Sequence, residues 1–108
     1  MIIEYIRYGL SDEAQAKAFE SDYHEAASIL EASAYCHGYE LTRCVDSPLQ
    51  YILRIEWDSA EGHLLGFRSG SSFSSFFKLV KPFVAQVLEM RHYELTSVVS
   101  PPQAREAS

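Results

Sequence analysis

Tyr51-Ile52-Leu53-Arg54-Ile55-Glu56-Trp57-Asp58-Ser59-Ala60-Glu61-Gly62-His63 changes period partway along. Up to Trp57 it alternates: Tyr51, Leu53, Ile55 and Trp57 share one side and Ile52, Arg54 and Glu56 the other, the mark of a strand with one buried face. Asp58 or Ser59 then offers a side-chain oxygen as a helix cap, which predicts a short helix reaching about Arg68 and broken by Ser69-Gly70-Ser71. One strand-to-helix transition therefore sets a Trp at a strand end and a His six residues later.

The neighbouring segments extend the pattern. Met1 to Tyr8 alternates as a strand, with Ile2, Ile6 and Tyr8 on one side and Ile3, Tyr5 and Arg7 on the other. Ser11 offers an N-cap, and the helix it starts runs to about Ala32 with Ala16, Phe19, Tyr23, Ala26 or Ala27, and Leu30 on one buried face. From Ala34 to Val45 period two returns: Tyr35, His37, Tyr39 and Leu41 lie opposite Cys36, Gly38, Glu40 and Thr42, and Asp46-Ser47-Pro48 supplies a turn. A longer helix is expected from about Ser72 to Leu88, bent at Pro82, followed by a strand from Met90 to Thr96.

The order βαββαβ predicts an α+β, ferredoxin-like fold: a four-stranded antiparallel sheet with two helices on one face. The other face needs cover, and a second copy of the chain is the simplest cover, so a homodimer is expected. Residues 1–97 form the domain, and the small, polar stretch 98–108 is expected to be a flexible tail.

At 108 residues the chain makes one domain, and its net charge of −6, from nine Lys and Arg against fifteen Asp and Glu, argues against nucleic acid and anionic membrane as partners. No run approaches the ~18 apolar residues of a membrane span, and Met1-Ile2-Ile3-Glu4 has no basic region of a cleavable signal, so a cytoplasmic location is expected. Cys36 and Cys44 in one extended strand would lie about 26 Å apart, against about 4.4–6.8 Å for a disulfide. The four histidines are scattered in sequence without the i, i+4 or Cys-x-x-Cys spacings of common metal motifs, and no Gly-rich phosphate loop follows a strand. No metal and no cofactor are expected.

The candidates for chemistry each have a structural alternative. His63, in the helical turn after Trp57, would feel a positive dipole that keeps the imidazole neutral, as a general base requires; otherwise it is a partly exposed helix histidine. Trp57 either plugs the end of the sheet or aims its indole N–H at a substrate oxygen. Phe73, Phe76, Phe77, Val80, Val84 and Val87 follow helical spacing and suit a core, whereas Phe67 and Tyr23 are placed to line an opening. His92 reaches either a pocket or a dimer seam, near Tyr5 and Arg7. His24 is expected in solvent and His37 at the dimer contact.

Trp57, His63 and the aromatic run Phe67, Phe73, Phe76, Phe77 and Phe83, set in this element order over roughly Met1 to Thr96, resemble the antibiotic biosynthesis monooxygenase family. Its members are small dimeric α+β barrels that oxidise quinol-like or phenolic compounds with oxygen and without a bound cofactor. The resemblance implies that Trp57 and His63, the latter where a Tyr is usual, face a small aromatic substrate as catalytic residues, with Tyr23, Phe67, Phe77 and His92 binding it. Two positions depart from the family: an expected Asn is Leu53, and an Arg expected on the long helix falls at about Phe77. These losses favour a rival, a non-catalytic module that binds a small aromatic ligand. A haem-binding or haem-degrading protein is a weaker rival, because its Asn, Trp and axial His fall at about Arg7, Phe67 and Lys78 or Leu79.

Overall fold

The computed structural model describes residues 1–101, so the end of the expected tail, 102–108, lies outside the described residues. Strands β1 (Ile2–Gly9), β2 (Cys36–Arg43), β3 (Gln50–Trp57) and β4 (Val87–Glu94) form one antiparallel sheet in the order β2-β3-β1-β4. Helices α1 (Glu13–Ala32) and α2 (Phe73–Val80) provide the two helical connections of the expected ferredoxin-like α+β arrangement.

Asp12, not Ser11, caps α1: its Oδ1 accepts the Gln15 N–H at 2.8 Å, and Gln15 Oε1 in turn accepts the Ser11 N–H at 2.7 Å. These reciprocal bonds satisfy amides that the first helical turn leaves without partners. The helix buries the face its spacing predicts, Ala16, Phe19, Tyr23, Ala26 and Leu30. β3 matches as well, with Tyr51, Leu53, Ile55 and Trp57 each no more than 2% exposed. Phe19 is the hub between them, its ring centroid 4.7 Å from Tyr8, 4.9 Å from Tyr23 and 5.1 Å from both Tyr51 and Phe83.

Three local expectations change. The first concerns β2, where the register slips between Cys36 and Gly38, so that Cys36 pairs with Trp57 and Tyr39 with Ile55. The extra residue, His37, is pushed out and exposed, while Cys36 joins Tyr39 and Leu41 against the core.

Next, the long helix expected over 72–88 ends at Val80 and tightens into a 3₁₀ segment, Lys81–Gln86. Pro82 has no N–H to donate, and its ring collides with the preceding turn, so α-geometry cannot continue through it. Lastly, the short helix after β3 is largely a π-helical segment, Gly62–Phe67, entered through a cap by Ser59, whose Oγ accepts the Gly62 N–H at 2.9 Å.

Gly70 turns the chain from that segment into α2. A Cβ there would lie 2.7 Å from the Gly66 carbonyl oxygen, a backbone atom that cannot swing aside. Gly70→Ala should therefore lower stability by about 1–2 kcal/mol, within the usual range of single substitutions, as urea titration would measure. An unchanged midpoint would mean that the turn opens freely.

Candidate functional site

The sheet alternation brings an unexpected side chain to the helix-covered face. Ile2, Ile6 and Tyr8 of β1 point there as predicted, and by the same period so does Glu4, which is 3% exposed. Glu4 pairs with Ile55 of β3 on one side and His92 of β4 on the other. His92 thus sits beside Glu4, not beside Tyr5 and Arg7: Arg91 and Glu89 pair with those residues.

Four polar side chains meet at this point. The Trp57 Nε1–H donates to Glu4 Oε1 at 3.0 Å, so the indole N–H is directed at a carboxylate. His63 stacks on the Trp57 ring, with centroids 4.6 Å apart and planes 14° from parallel, and its Nε2 lies 3.5 Å from Glu4 Oε1. His63 Nδ1 lies 2.8 Å from His92 Nε2, and that same His92 nitrogen is 3.7 Å from Glu4 Oε2. Glu4 and His63 are buried, whereas the His92 side chain is 36% exposed, so the cluster runs from the interior to solvent.

Burial dominates its electrostatics. Desolvation raises the Glu4 pKa above the ordinary carboxylate value, opposed by the Trp57 hydrogen bond and the charges of His92 and Arg68. The His63 pKa is lowered from 6.5 to about 4, first by desolvation and then by the positive charges of His92 and Arg68. A neutral His63 was expected from a helix dipole. The structure puts its ring in the interior beside cationic neighbours, and these set the direction.

Next to the cluster is an apolar cavity of about 270 Å³ between the sheet, the π-helical segment and α2. Trp57, His63, Tyr23, Phe67 and Phe77 all line it, together with Glu4, Tyr8 and Arg68, three residues the sequence reading did not single out. His92 is held against it through His63. The Tyr8 and Tyr23 hydroxyls bond each other at 2.7 Å, and desolvation raises both pKa values, so the pair is neutral at physiological pH. Phe67 bridges Trp57 and Phe76 at 5.2 and 5.3 Å between centroids, whereas Phe77 is 39% exposed at the rim. No described helix is long and apolar enough to cross a membrane.

No family model matches the chain. A Bacillus subtilis protein of uncharacterised function is 27% identical over 90 residues, covering 83% of this chain and 90% of that one. Among solved structures, a Bordetella bronchiseptica protein named for antibiotic biosynthesis monooxygenase superimposes with a TM-score of 0.75 at 25% identity, over 88% of this chain and 96% of that one. SnoaB, a cofactor-independent oxygenase from Streptomyces nogalater, superimposes with a TM-score of 0.68 at 14% identity, over 94% of this chain and 96% of that one. At that identity SnoaB speaks to the fold alone. The chain has the four-stranded ferredoxin-like α+β fold of solved antibiotic biosynthesis monooxygenases, as the resemblance implied.

Proposed function

We propose that the protein is an oxygenase that binds a small, electron-rich aromatic compound, a phenol or quinol, in the apolar cavity and withdraws its proton at the Glu4–His63–His92 cluster. The observation that carries this reading is that apolar walls close on a buried group of proton acceptors leading to the surface. A cavity of about 270 Å³ has room for one or two rings. A deprotonated phenol can pass an electron to oxygen itself, so the protein need only bind the ring, take the proton, stabilise the anion and exclude water.

His63 is the base. With its proton on Nδ1, directed at His92, it presents a lone pair on Nε2 beside Glu4. When that lone pair takes the phenolic proton, the Glu4 carboxylate offsets the new positive charge, and His92 offers a route outward. Arg68 lines the cavity and supplies a cation for the phenolate. Because the Trp57 N–H is committed to Glu4, Trp57 acts by holding that carboxylate and by stacking on the base. Phe67, Phe77 and Tyr23 clamp the ring. An oxygen electrode with a panel of hydroquinones and fused-ring phenols tests the proposal. Saturable binding of those compounds with no oxygen uptake would favour the non-catalytic module, which Leu53 and Phe77 at the departing positions already support.

The same reading includes a homodimer. On the sheet face away from the helices, Tyr5 and Tyr93 meet edge-to-face at 5.4 Å, and Tyr5, Tyr93 and Ile52 are 37–46% exposed. These side chains alternate with Arg7, Arg54 and Arg91 on the same face, a mixed aromatic and charged surface that a partner copy would cover. Sedimentation at micromolar concentration should give twice the chain mass, and Ile52→Glu should shift the equilibrium toward monomer. A stable wild-type monomer would refute it.

A further inference from the structure

We infer that Glu4, His63 and His92 form a binding site for one divalent first-row transition metal ion. The inference stands on ligand geometry and is independent of the oxidation proposed above. One ligand atom from each residue lies within 4.8 Å of the others. His92 Nε2 is the common point, 2.8 Å from His63 Nδ1 and 3.7 Å from Glu4 Oε2. A metal about 2.1 Å from each ligand needs ligand atoms roughly 3.0–3.4 Å apart, so the two His92 separations need shifts of a few tenths of an ångström, and the His63–Glu4 separation, within 4.8 Å, closes by turning of the side chains. Two imidazoles and one carboxylate are a borderline donor set that suits zinc, cobalt or ferrous iron better than calcium or magnesium, which prefer oxygen ligands.

Three further features fit a metal. The ligands come from different elements, β1, the π-helical segment and β4: the sheet register sets Glu4 beside His92, and the π-helical segment brings His63 over them, without any motif in the sequence. The Trp57 N–H holds Glu4 Oε1, leaving Oε2 for the metal, and such an outer hydrogen bond orients a ligating carboxylate. His92 is partly exposed, which gives the ion a way in, while His63 and Glu4 line the cavity, where the positions left open by the protein would face.

Binding needs no redox step. His92, whose Nε2 accepts from His63, already carries its proton on Nδ1; His63 moves its proton from Nδ1 to Nε2, and both facing lone pairs are then free for the ion. With its proton held on Nε2, His63 has no lone pair left for a phenol, so metal occupancy and base catalysis exclude each other. Zinc or cobalt would hold the proposed oxygenase inactive.

The test is titration of the chelator-treated protein with Zn²⁺ by calorimetry and with Co²⁺ by visible absorption. The expected result is one ion per chain, with intense d–d bands of low-symmetry Co²⁺. His92→Ala changes a partly exposed side chain and should fold; it should weaken binding more than the about 10–100-fold typical of losing an outer-shell partner. Trp57→Phe should weaken it within that range. His24→Ala/His37→Ala, which removes the other two histidines, should bind as wild type does. Absence of stoichiometric binding in the wild type, undiminished binding in His92→Ala, or loss in His24→Ala/His37→Ala would overturn the inference. All these readouts are independent of oxygen uptake, so a chelator-treated protein that takes up no oxygen in its metal-free form yet binds cobalt on titration refutes the oxygenase proposal alone.

Discussion

His63→Gln should reduce oxygen uptake with an accepted phenol or quinol by roughly 10²–10⁴, the usual contribution of a positioned general base. Glutamine keeps a polar group between Glu4 and His92 but has no lone pair with useful basicity. It also gives up the ring stacked at 4.6 Å on Trp57. Ring binding should change far less than turnover, because most of the cavity wall is apolar and unaltered. Trp57→Phe makes a useful companion: it keeps the aromatic area and deletes the N–H donor to Glu4, leaving a buried carboxylate short of a partner at a cost of about 1–3 kcal/mol. Uptake that survives His63→Gln at near wild-type rate would place the base elsewhere, and Glu4→Gln would then be the variant to examine.

Phe19→Ala should be the most damaging single change to stability. Phe19 has no exposed surface and touches four aromatic rings drawn from β1, β3, α1 and the 3₁₀ segment, so no single element can move in to fill the gap. Phe-to-Ala changes at such sites cost about 3–5 kcal/mol, a large share of the roughly 5–15 kcal/mol that holds a domain together. At about 4–8 °C per kcal/mol for a domain of this size, the melting temperature should fall well over 10 °C. A fall of only a few degrees would show that Tyr8 and Tyr23 collapse into the space.

The fold was readable because its signals are local and periodic. Alternation gives the inward row of β3 residue for residue, and the three-and-four spacing gives the buried stripe of α1 except for the choice between Ala26 and Ala27, because backbone geometry imposes both periods. The site was only half readable. His63, Trp57, Tyr23, Phe67 and Phe77 do line one cavity, but Glu4 was passed over.

A signal for Glu4 was present, an acidic residue in the otherwise inward row Ile2, Ile6, Tyr8, and a charge in a buried row needs partners. What the sequence could not supply was the register that sets Glu4 against His92, or the π-helical geometry that lays His63 over Trp57. The bulge at His37 was hidden for the same reason: one extra residue in a strand changes every face assignment before it and leaves no mark in composition.

Trp57 is the only tryptophan in the chain. Its indole lies against His63, donates to Glu4 and borders the cavity, so the protein's tryptophan emission arises from one place, the floor of the candidate site. A protonated imidazole stacked on an indole quenches it, and a ring or an ion arriving alongside changes its surroundings. The molecule therefore carries its own optical gauge of occupancy, with no second fluorophore of the same kind to dilute the signal and no label to disturb the wall being watched.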